Sequence, residues 1–123
     1  MVNFTIGDVV ADVRVELGDT YEGAYSYLTA DIVRYIGEGI VALRELRPST
    51  AYDPDTGRLL HDDDKWASLN EADTPFFVPV TARYRKTLAA YAMFKCLSRD
   101  DTDRGNAARA DAAYKRFVET AAT

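Results

Sequence analysis

Histidine and cysteine each occur once in this chain, at His61 and Cys96. That scarcity removes whole classes of chemistry. A lone cysteine can neither close an internal disulfide nor build a thiolate metal cage. Any Ser-His-Asp or Cys-His mechanism would have to run through His61, which lies among acidic residues with no third group marked out to hold a base in place. Cys96 follows an uncharged helical stretch and reads as a small buried hydrophobe rather than a nucleophile. No apolar run approaches the ~20 residues needed to cross a bilayer. The opening Met1-Val2-Asn3-Phe4-Thr5 lacks the basic start and apolar core of a signal peptide, so folding in the cytoplasm is expected. A phosphate-cradling glycine loop is missing as well, because Gly37 and Gly39 fall inside a helical pattern and not after a strand. Internal repeats and low-complexity segments are absent.

What is present suits one globular domain spanning residues 1–123, with 47% apolar and 28% charged residues. The net charge of −5 is unevenly spread: residues 1–52 hold eight acids and four bases, whereas residues 83–116 hold nine bases and four acids. Such asymmetry suits head-to-tail association with another copy or a partner.

Four helices follow from periodicity, at about 5–17, 29–47, 79–99 and 103–121. In the first, Ile6, Val9, Val10, Val13 and Leu17 share one face, with Asp8, Asp12, Arg14 and Glu16 opposite, and Gly18-Asp19 ends it. Tyrosine-rich residues 20–28 read as a loop. Thr29 suits the N-cap of the second helix, whose stripe runs from Ile32 to Leu46 until Pro48 stops it. Gly37 and Gly39 interrupt that stripe, each costing about 1 kcal/mol relative to alanine. Close approach by a neighbouring helix accounts for them, and a hinge is the alternative. Pro79 suits the first position of the third helix. Leu88-Ala89-Ala90-Tyr91-Ala92-Met93-Phe94 carries no charge, so this segment must be surrounded. The last helix is expected to pack through Ala107, Ala110, Tyr114, Phe117, Val118 and Ala121.

Residues 49–78 differ in kind. Asp53-Pro54-Asp55-Thr56-Gly57 is a turn sequence, and two short apolar runs surround Asp62-Asp63-Asp64-Lys65. The expectation is an extended arm or β-hairpin with its tip near residues 62–65. Its apolar residues Tyr52, Leu59, Leu60, Trp66, Phe76 and Phe77 are the candidate partner interface, because a monomer would not comfortably expose them. A metal site is a poor fit: Asp53, Asp55 and Gly57 are like the start of a calcium loop with Asp64 at its twelfth position, but the glycine falls one place early and the closing residue is aspartate where a bidentate glutamate is expected. Asp62, Asp63 and Asp64 on an extended strand would alternate faces. Neither a metal-dependent hydrolase nor any cofactor is expected. The bases of the back half are interleaved with alanines and acids, so sequence-specific nucleic-acid binding is not expected; a nucleic-acid-binding packaging or regulatory protein that uses the basic back half is the alternative reading.

Leu17-Gly18-Asp19, Tyr25-Ser26, Thr29-Ala30-Asp31-Ile32-Val33-Arg34-Tyr35-Ile36 and Leu46-Arg47-Pro48 resemble the front half of the head-tail adaptor proteins of tailed bacteriophages. Tyr91, Ser98-Arg99-Asp100-Asp101-Thr102-Asp103, Asn106-Ala107-Ala108-Arg109-Ala110, Tyr114 and Phe117 resemble its closing helices. The similarity covers the helical parts and not residues 50–77; it departs at Gly37, where asparagine is common. It implies a mainly α, small four-helix bundle with a long arm between helices 2 and 3, and no catalysis. It also implies a ring in the neck of the virion, usually of twelve copies, assembled in the host cytoplasm. That ring would join the portal protein to the next neck or tail component, and DNA would pass through without specific binding.

Overall fold

The computed structural model describes residues 3–20, 23, 25–53, 55–59, 63–99 and 105–122. Helix α1 spans Ile6–Leu17 and opens on a reciprocal cap: the Thr5 hydroxyl accepts from the Asp8 N–H while the Asp8 carboxylate accepts from the Thr5 N–H. That backbone bond holds the Asp8 carboxyl below its usual range. Gly18 closes the helix in the left-handed region at φ 69°, where a side chain would be strained.

Helix α2 spans Thr29–Leu46, and its N-cap is Leu28, not Thr29. The Thr29 hydroxyl instead accepts from Arg14 Nη2 at 2.8 Å. This corrects the expectation for Arg14, which is buried rather than on the solvated side of α1. Arg14 Nη1 donates to Asp19 at 2.9 Å and to the Tyr27 carbonyl at 3.1 Å, and its guanidinium lies 3.5 Å from the Tyr25 ring centroid. Asp19 in turn accepts from the N–H groups of Ser26 and Tyr27. A buried ion pair therefore folds the loop between α1 and α2 back onto the bundle.

Helix α4, Arg85–Arg99, is the element that the others surround; it packs most extensively on α5, Gly105–Ala121, and also touches α1 and α2. Leu88, Ala89, Ala90, Ala92, Met93, Cys96 and Leu97 are buried along it, as the uncharged run requires. Proline does not start α4: Pro79 lies in a bend, and a 3-10 turn at Ala82–Tyr84 leads into Arg85. On α5 the buried stripe is Asn106, Ala110, Ala113, Phe117 and Ala121, so the helix is turned slightly from the expected face and leaves Tyr114 and Val118 at the rim. At the aromatic end Tyr91 and Phe117 pack edge to face with centroids 5.0 Å apart, and Phe94 and Tyr114 lie at a tilt with centroids 4.8 Å apart.

The β-hairpin is not found. Among the described residues there is no strand, only isolated antiparallel bridges between Tyr52 and Leu59 and between Thr5 and Phe77. Where a tip was expected, Asp63–Ala67 forms a one-turn helix, α3, packed on α2. Helical turns let Trp66 reach the core while Lys65 and Ala67 stay exposed. No helix among the described residues is long and apolar enough to cross a membrane.

Candidate functional site

The segment from Arg47 to Tyr84, between α2 and α4, divides its apolar residues into two sets. Trp66 is fully buried, which removes it from the candidate interface: its place is in the core, beside Leu69 and α2. Gly37 makes that place possible. A Cβ there would stand 2.0 Å from the Trp66 carbonyl oxygen, a clash with backbone that no rotamer relieves. Close approach is thus the reason for this glycine, although the approaching element is α3 rather than a long helix. Gly39 makes room for a side chain instead: a Cβ there would press on the Tyr91 ring of α4 at 3.0 Å.

The second set remains at the surface. Tyr52 is 49% exposed, Leu59 57%, Phe76 42% and Phe77 61%. Leu60 and His61 lie outside the described residues. The Tyr52–Leu59 bridge brings two of these side chains onto neighbouring backbone across the Asp53–Arg58 turn. That turn uses its own acids: Asp53 Oδ1 accepts from the Asp55 N–H, Gly57 takes φ 70°, and the Asp53 N–H donates to the Arg58 carbonyl. Among the described residues no group of three His, Cys, Asp or Glu is placed to hold a metal ion.

Phe76 and Phe77 are held by backbone. Ile6 N–H donates to the Phe76 carbonyl, Gly7 N–H to the Thr74 carbonyl, and Val78 N–H to the Phe4 carbonyl, each at 2.9 Å. These bonds satisfy open N–H groups at the start of α1 and fix the two phenylalanines beside it. Between the two exposed pairs lies a groove of about 470 Å³. Tyr52, Val78, Val80 and Tyr84 give it an apolar lining, and Arg47 and Arg83 add two positive charges. The sequence signal for this groove was the apolar run around Pro79, which the expectation of a helix start concealed.

Cys96 lies at the edge of a second hollow, about 310 Å³, with Asp31, Tyr35 and Arg99 among its lining. Burial, and then the charge of Asp31, push the thiol up to about 12. A thiolate is scarce at neutral pH under those conditions, so the group is unsuited to nucleophilic attack.

Part of the charge asymmetry is met inside the chain, where four of the nine back-half bases face front-half acids. Arg85 of α4 makes a two-pronged contact with Asp12 of α1 at 2.6 and 3.0 Å, which raises the Arg85 pKa. Lys95 faces Glu38 at 3.8 Å, Arg99 faces Asp31 at 3.8 Å, and Arg116 faces Glu16 at 3.9 Å. Acidic front helices and basic back helices are thus neighbours in one bundle. Partly exposed pairs of this kind are each worth about 0–1 kcal/mol.

Together these features define a helical bundle with an exposed apolar edge. In comparisons with protein-family models, characterised proteins and solved structures, nothing matches the chain.

Proposed function

We propose that this protein is a structural head-tail adaptor of a tailed bacteriophage. In the virion neck it would form a ring under the portal, join the portal to the next neck or tail component, and surround the DNA channel. The observation that carries the reading is the exposed set Tyr52, Leu59, Phe76 and Phe77, displayed on a segment fixed to a helical bundle. Rigidly presented apolar side chains suit repeated protein contacts. The helix-end motifs of the resemblance, Leu17-Gly18-Asp19 and Leu46-Arg47-Pro48, fall at the ends of α1 and α2.

The internal ion pairs leave less charge for contacts between copies. Opposite charges on front and back helices meet within one subunit, so the contact between copies rests on the apolar edge instead. The same pairs weaken the nucleic-acid alternative, because four bases of the back half already face acids.

Electron microscopy of the protein mixed with its cognate portal tests the proposal. The expected outcome is a ring on the portal, with the protein monomeric or weakly associated alone. A tight closed dimer with no affinity for portal overturns it, and duplex binding that weakens steeply with salt would establish the alternative.

A further inference from the structure

We infer that the groove between Tyr52 and Tyr84 seats an extended segment of a partner protein that presents one large apolar side chain next to a carboxylate. The inference takes from the adaptor reading only the setting in which such a partner is met. Its chemistry comes from the groove.

A volume of about 470 Å³ accommodates one or two side chains. The lining is mainly apolar, so a charged side chain could not enter without losing its hydration. Arg47 and Arg83 carry the positive charge of the lining, against the single acid Asp53, whose Oδ1 is occupied by the Asp55 N–H. Arg47 donates to the Ala122 carbonyl through Nη1, and a guanidinium has five donors in all. On either side the apolar surface continues, to Leu59 through the Tyr52 bridge and to Phe77 through Val78. Charge, cavity and flanking surface thus select the same occupant: apolar at its centre, acidic beside it and extended along the flanks.

Two short peptides test the assignment on the whole protein, Ac-Gly-Asp-Phe-Glu-Gly-NH2 and its counterpart with lysine at both acidic positions, read by backbone amide NMR shifts. The acidic peptide is expected to move Val78, Val80, Thr81 and Tyr84 saturably, and the lysine peptide to bind at least about tenfold more weakly. Arg83→Glu, at an exposed position, is expected to reverse that preference. No saturable shift in the wild type, equal binding of both peptides, or an unchanged preference in Arg83→Glu overturns the inference. Portal binding separates it from the adaptor proposal. If Arg83→Glu assembles on portal like the wild type, the groove is not the seat and the adaptor reading stands. If the wild type binds the acidic peptide but never portal, the groove assignment stands and the adaptor reading fails.

Discussion

The α4–α5 pair and the Arg47–Tyr84 segment are both rich in aromatic and aliphatic residues, yet they are held by different forces. In the pair, side chains recur every three or four residues and bury one another. Thr87, fully buried, adds a hydrogen bond to Thr120 across the same seam. Among the described residues of the segment, regular structure is limited to single turns, and position is set by backbone bonds to the start of α1 and by one anchored tryptophan. A periodic surface hides its apolar residues as a group. An irregular segment can bury Trp66 and expose Phe77 eleven residues later, because no period ties the environment of one side chain to that of the next.

Removing the anchor separates the two regions most sharply. Trp66→Ala is expected to cost about 3–5 kcal/mol in denaturant unfolding, the range for a fully buried aromatic. If the segment were a detachable arm, that loss would fall below 1 kcal/mol. Gly37→Ala probes the same contact from α2. Glycine-to-alanine in a helix interior ordinarily gains up to ~1 kcal/mol, whereas the clash with the Trp66 carbonyl predicts a loss of about 2 kcal/mol. The emission of the single tryptophan should shift to the red as α3 is displaced. Unchanged emission with increased stability would show that α3 does not press on Gly37.

Asp8→Ala removes the carboxylate that caps α1 beside the segment, at an expected loss of about 0.5–1 kcal/mol at neutral pH. Because the folded state lowers the Asp8 pKa, its contribution is full above the ordinary value of 3.8 and disappears as pH falls through the folded value. Wild type and variant should therefore converge in acid, as thermal melts across pH 2–7 would reveal. The smallest effect on stability is expected from Phe77→Ser, within about 0.5 kcal/mol. If the exposed edge is the docking surface, this variant should still lose portal binding in co-sedimentation. Retained binding would remove Phe77 from the interface.

Legibility in the sequence follows the same division. Helix ends at Thr5, Gly18 and Leu46 could be read because caps and stop signals act locally. The surrounded run through Leu88–Phe94 could be read because its lack of charge leaves no solvent face. Arg14 could not: spacing grouped it with Asp12 and Glu16, and its burial depends on Asp19, beyond the helix end. Trp66 could not either, since three aspartates and a lysine precede it and one helical turn is too short to establish a period. The tilt of α5 was missed because Asn106 and Ala113 look less apolar than Tyr114 and Val118, although the smaller side chains are the ones that fit against α4. As for the candidate site, its exposed residues were visible by composition, but the groove required the segment's path.

The bonds between residues 4–7 and 74–78 also order events during synthesis. At roughly 5–20 residues per second, a ribosome needs several seconds to add the seventy residues that separate the two partners. Helix α1 therefore leaves the exit tunnel with Ile6 and Gly7 N–H groups still facing water, and waits for the middle of the chain before its first turn is closed. A nascent chain halted before Thr74 would hold α1 with those two N–H groups still lacking their carbonyl partners, whatever the packing of α1 on α2.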